Sequence, residues 1–258
     1  MVQLKSGYIY VVTFFIMRLD IIKSPKGRRL VISDIHGCSK TLRVIIENRI
    51  CLTPKDHLFF LGDYIDRGPD SSGVLDYVIS LINQGYNIYP LRGNHEENLL
   101  NAIKEYDRET LAHFVCKINK SPDLLNENKS VKREYVDFMS KLEYYYELDD
   151  FIIVHAGINF NVENPFQDFV SMLELRKTNP NPIILNGRRI LHGHQVTPLF
   201  EIEKAVAERQ PVIPLDNGCF YTKPHKIYDH NQTGNLCCLN LDTFELIVQK
   251  NIEIITPI

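Results

Sequence analysis

The sequence predicts a layered α/β fold, and two observations carry that prediction. Five short apolar runs each end in or beside a polar residue able to bind metal: RRLVISD ending at Asp34, HLFFLGD at Asp63, NIYPLRGN at Asn94, FIIVHAG with His155 near its end, and RRILHGH at His194. Unbroken apolar runs of this length are how strands buried on both faces read. The second observation is that three of the runs are followed by helical patterns, the alternation expected of α/β proteins. At 258 residues and 44% hydrophobic, the chain can bury one sizeable core.

Each helix has a start signal. Ser39 opens the pattern Thr41 to Arg49, Asp70 to Ser72 opens Val74 to Asn83, and Asn94 to Glu97 leads into Leu99 to Tyr106. Gly85 reads as a stop after the second. Residues 107–147 break the rhythm with a polar, helical insert, readable either as a cap beside the strand ends or as a solvated lobe with no substrate role. From Val212 onward the pattern is short strands and turns, marked by Asp216-Asn217-Gly218 and Thr233-Gly234-Asn235.

Residues 1–27 read as an N-terminal extension ahead of one domain over 28–250. The apolar stretch Tyr8 to Met17 is about half the length that spans a bilayer, and no small-residue cleavage site follows it. Met17 is an alternative start. Six scattered cysteines, with Cys237 and Cys238 adjacent rather than spaced as C-x-x-C, encode neither a zinc knuckle nor a redox motif. Reduced thiols and a cytoplasmic location are the expectation. A net charge of −3 with Lys and Arg spread along the chain offers no basic face to nucleic acid, and no membrane partner is expected.

In open α/β sheets ligands gather where strands end, so the five ends are expected to converge. Asp34 and His36 in D-x-H spacing, then Asp63, Asn94, His155 and His194, form a set of carboxylate, imidazole and amide donors suited to Mn, Fe or Zn. Six donors serve two ions if one carboxylate bridges: Asp34, His36 and Asp63 for one, Asp63, Asn94, His155 and His194 for the other. Such a pair polarises a phosphoryl group and activates a shared water as hydroxide. Arg67 is the stronger candidate to fork onto phosphate oxygens; Arg92 is the weaker, since it lies within a predicted strand where a salt bridge would explain it. His95 can protonate a leaving alkoxide, with Asp66 to orient it.

These residues resemble a known family. Ser33-Asp34-Ile35-His36-Gly37, Gly62-Asp63-Tyr64-Ile65-Asp66-Arg67-Gly68, Gly93-Asn94-His95-Glu96, His155-Ala156-Gly157 and Gly193-His194 are similar, in order, to the signature of the phosphoprotein phosphatases within the calcineurin-like metallophosphoesterases. Leu215-Asp216-Asn217-Gly218-Cys219 resembles that family's C-terminal hairpin. The resemblance implies a four-layer α/β/β/α sandwich of two mixed sheets flanked by helices. It also implies a dinuclear centre, manganese first with iron or zinc compatible, that hydrolyses phosphate monoesters without a covalent intermediate. It makes His95 the general acid, Asp66 its partner and Arg67 a phosphate clamp, and it selects His194 over His192 as the ligand. Met172 to Arg176 resembles a motif that carries a second phosphate-binding arginine, here Arg176, although Glu174 stands where the family has Trp; Arg188 and Arg189 are the fallbacks.

Gly193-His194-Gln195-Val196 lacks the final His of the family's diesterases, and Asp66-Arg67-Gly68 is phosphatase-like. The first expectation is therefore a bacterial-type Ser/Thr protein phosphatase acting on a phosphorylated protein or a small phosphate ester. The alternative is a symmetrical diadenosine tetraphosphate hydrolase. A non-catalytic scaffold is the third reading, and it would require a missing ligand or acid, of which there is none.

Overall fold

The computed structural model describes residues 27–221 and 232–253. Readings that fall on residues 1–26, including the N-terminal apolar run, lie outside the described residues. In chain order the elements are β1 (Arg29–Ile32), α1 (Ser39–Val44), β2 (His57–Phe60), α2 (Ser71–Asn83), β3 (Asn87–Pro90), α3 (Asn94–Glu105), α4 (Arg108–His113), α5 (Arg133–Met139), β4 (Tyr145–Glu147), β5 (Phe151–Val154), α6 (Phe169–Glu174), α7 (Pro182–Leu185), β6 (Arg189–His192), α8 (Leu199–Ala207), β7 (Val212–Pro214), β8 (Asn235–Asn240) and β9 (Leu246–Lys250). α1 and α4 each continue as a wider π-helical turn, over Ile45–Arg49 and Phe114–Ile118.

Two mixed sheets result. One has the order β3-β2-β1-β8-β9 and the other β4-β5-β6-β7. β1, β2 and β3 run parallel, while β8 and β9 join antiparallel; in the second sheet β5, β6 and β7 run parallel and β4 antiparallel.

Side-chain alternation assigns the layers. In β1, Leu30 and Ile32 face a core shared with α1, α2 and α3, whereas Val31 faces the core between the sheets. In β2, Phe59 turns inward, opposite Val31 in register, while Leu58 and Phe60 face the outer core. In β5, Phe151 and Ile153 meet that central core, and Ile152 and Val154 face a third one containing Met172 of α6 and Leu185 of α7. The molecule is thus a four-layer α/β/β/α sandwich. The same alternation sends Cys237 into the central core and Cys238 into the outer one, so these neighbours point away from each other, and all six cysteines are free.

The insert departs from its predicted bounds. Its helical part ends at α5, and Tyr145–Glu147 is an edge strand of the second sheet. Among the described residues no helix is long and apolar enough to cross a membrane.

Candidate metal centre and active site

The site forms where the strands end. Asp34 lies two residues beyond β1, Asp63 three beyond β2, His155 one beyond β5 and His194 two beyond β6. Asn94 opens α3, as the start signal over Asn94 to Glu97 predicts, with Gly93 as the helix N-cap; it lies four residues beyond β3 and not at its end. The neighbouring Glu96, which sequence reasoning left without a role, turns its buried carboxylate back and accepts the backbone N–H groups of Gly93 (3.0 Å), Asp63 (3.0 Å), Tyr64 (2.9 Å) and Ile65 (3.3 Å). This network ties the loop after β2 to the first turn of α3.

The loops are held in costly conformations. His36 (φ 49°), Asp63 (50°), Asp66 (70°), Arg67 (67°) and His194 (64°) all lie in the left-handed region, which side chains other than glycine rarely adopt. Such strain persists where surrounding contacts over-determine it, and it clusters at functional sites. Close approach explains two glycines of the motifs. A Cβ on Gly93 would strike the backbone nitrogen and Oδ1 of Asp63, and one on Gly193 would strike Oδ1 of Asp34.

Two sets of donor atoms converge, His36 with Asp63 and His95, and Asp63 with His155 and His194; within each set the atoms lie within 4.8 Å of one another. Asp63 belongs to both. Its Oδ2 is 3.3 Å from His36 Nε2, and its Oδ1 is 3.6 Å from His155 Nε2. Each imidazole is aimed by its other nitrogen: His36 Nδ1 donates to the Ile65 carbonyl at 2.9 Å and His155 Nδ1 to the Leu61 carbonyl at 2.7 Å. Because a carbonyl only accepts, the proton must sit on Nδ1, and the Nε2 lone pair faces the site. Burial lowers the pKa of both rings, against the pull of Asp63, so both favour the neutral, ligating form.

The donor chemistry fits cations. The Asn94 amide faces both Asp63 oxygens at 3.3 Å, His194 Nδ1 at 3.2 Å and His155 Nε2 at 3.1 Å. With nitrogen inward it donates to them; with oxygen inward it adds an acceptor to a cluster of acceptors, which only a positive ion reconciles. Asp34 lies outside both converging sets. Its Oδ2 accepts the His194 N–H at 2.8 Å, but its Oδ1 is buried without a hydrogen-bond partner among the described residues. Oδ2 of Asp216 is orphaned in the same way. Burial first, then the nearby charges of Asp216 and Asp63, raise the Asp34 pKa, and burial raises Asp216 to about 6. Three buried carboxylates gathered in this way call for compensating positive charge. In the sequence Asp216 reads as part of a turn and of the hairpin block Leu215 to Cys219, with no place in the site.

On the open side, His95 Nδ1 is 2.6 Å from Asp66 Oδ2, and His95 Nε2 is 3.0 Å from Arg67 Nη2. The Arg67 guanidinium lies over the Phe220 ring, 4.7 Å from its centroid. Burial lowers the His95 pKa, but the Asp63 and Asp66 carboxylates outweigh it and the net shift is upward. Asp66 is in turn held by the insert and by α2: Ser121 Oγ donates to its Oδ1 at 2.7 Å, and Ser71 Oγ, at the start of α2, accepts its backbone N–H at 2.9 Å. No motif marked Ser121, since its role depends on where the insert folds back.

The arginines separate cleanly. Arg92 is engaged by Glu97 at 2.7 Å and by the Tyr144 hydroxyl at 3.1 Å. Arg176 is exposed after α6, and its charge is among the influences that, after burial and His155, bring His194 to about 4. Neither fallback reaches the site: Arg188 pairs with Glu147, and Arg189 bonds the Arg209 carbonyl at the end of β6 away from His194. Burial lowers His192 to about 4, and its Nδ1 lies 3.0 Å from the Gly193 carbonyl oxygen, beside the loop that carries His194.

Comparison with known proteins agrees with this geometry. The family model described as calcineurin-like phosphoesterase matches residues 27–213. A protein named symmetrical bis(5'-nucleosyl)-tetraphosphatase from Buchnera aphidicola subsp. Schizaphis graminum (strain Sg) is 38% identical over 131 residues, 50% of this chain and 44% of that protein. Its counterpart from Buchnera aphidicola subsp. Acyrthosiphon pisum (strain Tuc7) is 32% identical over 131 residues, covering 50% and 43%. The chain thus spans less than half the length of these curated relatives. Among solved structures, a protein serine/threonine phosphatase from Saccharomyces cerevisiae with similarity to human phosphatase PP5 superposes with a TM-score of 0.56 at 18% identity, over 91% of this chain and 82% of that one, a likeness of fold.

Proposed function

Because the chain belongs to the calcineurin-like phosphoesterase family and is a metal-dependent phosphoesterase, we propose that it hydrolyses the phosphoric anhydride of a dinucleoside tetraphosphate at a dinuclear centre. The observation that carries the dinuclear chemistry is Asp63, whose two oxygens face two separate groups of imidazoles. What supports the dinucleotide over a phosphoprotein is the 38% identity to a symmetrical tetraphosphatase. This reverses the order in which the motifs alone rank the two substrates.

Asp34, His36 and Asp63 would hold one ion, and Asp63, Asn94, His155 and His194 the other, with manganese the ion to load first. When bound, the pair supplies Lewis-acid polarisation of the phosphoryl group and activation of water for attack. The protein's own groups do the rest. Arg67, whose guanidinium meets His95 Nε2 and the Phe220 ring among the described residues, is drawn to the arriving phosphate as a charge-assisted donor. Its departure frees the His95 Nε2 lone pair, which the guanidinium N–H had occupied, to take up a proton from solvent under the pull of the Asp63 and Asp66 carboxylates and to pass it to the leaving oxygen, while Asp66 holds the ring through Nδ1. Arg176, on the His194 side, is the candidate for a second phosphate contact.

The second reading, a Ser/Thr protein phosphatase, is favoured by Asp66-Arg67-Gly68. One experiment decides between them: turnover of diadenosine tetraphosphate beside a phosphoserine peptide on a single manganese-loaded preparation, with Asp63→Asn as the blank. A preference of a hundredfold or more in kcat/KM for the dinucleotide is expected. The same preference for the peptide overturns the proposal and leaves the metal assignments intact.

A further inference from the structure

The proton donor and the insert share a cavity. A cleft of about 370 Å³ is lined by Asp66 and His95 together with residues of α3 and of the π-helical turn that follows α4. Since His95 protonates the leaving oxygen in the reading above, the fragment that leaves must lie on this side.

The walls describe what that fragment is. Tyr106 and Ile118 line the cleft and are 42% and 64% exposed, two of the large apolar side chains that the described residues leave open to solvent. Phe114 meets Tyr106 edge to face at 5.7 Å between centroids, and together they form a small aromatic corner. Such rings stack against a planar base in a way that tolerates any base. The carboxamides of Asn98 and Asn119 also line the cleft, and neither has a side-chain hydrogen bond among the described residues. A free carboxamide presents a donor and an acceptor side by side, which matches the edge of a nucleobase. The charge is equally telling. Among the described residues no Lys or Arg lines the cleft, while the carboxylates of Glu105 and Asp66 do. Phosphates are therefore kept at Arg67 and the metal centre, and the cleft takes an uncharged, planar, hydrogen-bonding end.

We propose that this cleft between α3 and the insert is a nucleoside subsite on the leaving-group side. The proposal rests on the assignment of His95 as proton donor and names the moiety that reading leaves open. It gives the insert a substrate role, which the sequence left undecided between a cap and a solvated lobe.

The test compares two inhibitors that differ only in the nucleoside. With p-nitrophenyl phosphate turnover as reporter, the inhibition constants of ADP and of inorganic pyrophosphate are measured for wild type, Tyr106→Ala and Asn98→Ala, each normalised within its own protein. Wild type is expected to bind ADP at least about tenfold more tightly than pyrophosphate, the scale on which a base stacked on an aromatic ring contributes. Tyr106→Ala should bring that ratio close to one, and Asn98→Ala should reduce it severalfold, so the result does not hang on one variant folding. Equal inhibition by the two compounds in wild type overturns the subsite, even if diadenosine tetraphosphate is the preferred substrate. Conversely, a wild type that prefers phosphoserine peptide but keeps a Tyr106-dependent ADP ratio overturns the substrate reading and leaves the subsite standing. If Tyr106→Ala raises the KM of the peptide and leaves the ADP ratio untouched, the cleft is a peptide groove and the proposal fails.

Discussion

Ser121 donates its hydroxyl proton to one oxygen of Asp66 at 2.7 Å, and His95 faces the other at 2.6 Å, so one carboxylate joins the insert to the proton donor. Both Ser121 and Asp66 are buried, and Asp66 sits in the left-handed region at φ 70°. A carboxylate in a strained loop needs partners on both oxygens to hold an imidazole in one orientation.

Ser121→Ala should therefore act on chemistry rather than on binding. We expect kcat for an alkyl phosphate to fall by about tenfold, the scale of a lost hydrogen bond to the carboxylate that orients the acid, with KM little changed. Ser121→Thr, which keeps the hydroxyl, should restore most of the loss. Steady-state kinetics on both variants checks this; a rise in KM with unchanged kcat would make Ser121 merely structural.

His95→Asn removes the proton donor. The expected loss is about 100-fold or more on an alkyl phosphate, whose leaving group needs the proton, and under about tenfold on p-nitrophenyl phosphate, whose leaving group does not. Similar losses on both substrates would take His95 out of the acid role.

Gly193→Ala tests the packing of the metal loop. The added Cβ collides with Oδ1 of Asp34, so that carboxylate must move off its place beside the His194 N–H. We expect manganese content by elemental analysis to drop from two ions towards one or none, at a stability cost of about 1–3 kcal/mol. Retention of both ions at full occupancy would remove Asp34 from the ligand set.

Far from the site, Asp56 sets an acid limit on stability. Burial raises its pKa, but the Arg28 guanidinium and backbone N–H, together with the Thr53 N–H and hydroxyl, hold it well below the usual carboxylate range. The folded state binds that proton less readily than the unfolded chain, so this contribution is present near neutral pH and is lost as pH falls below about 5. Asp56→Asn should cost about 2 kcal/mol at pH 7, reduced by the partial exposure of Arg28, and progressively less at lower pH. Chemical denaturation of both proteins at pH 7 and at about pH 2.5, below the usual carboxylate pKa, measures the difference; a constant gap would mean that Asp56 is not the titrating group.

The strand ends, the D-x-H pair and the three following helices were legible in the sequence because each is a local matter. Apolar runs such as Leu58 to Leu61 have to be buried, cap residues such as Asp70 bond their own first turn, and ligand types appear at strand ends whatever surrounds them. Asn94 reads in the sequence both as the end of an apolar run and as the start of a helix, and the structure keeps the helix start, with Glu96 folded back to the loop after β2.

What the sequence alone determined is therefore the set of donor atoms, the helices between them and the α/β layering, all encoded in spacings within single segments. Tertiary structure decided which groups share a site. Asp63 faces two imidazole clusters only because β2 and β5 carry their ends to one place, Asp216 joins the buried carboxylates through a turn distant in sequence, and Ser121 reaches Asp66 across 55 positions of chain. No local pattern encodes such contacts, because the sheet order and the fold-back of the insert set them, and both follow from burying three cores at once.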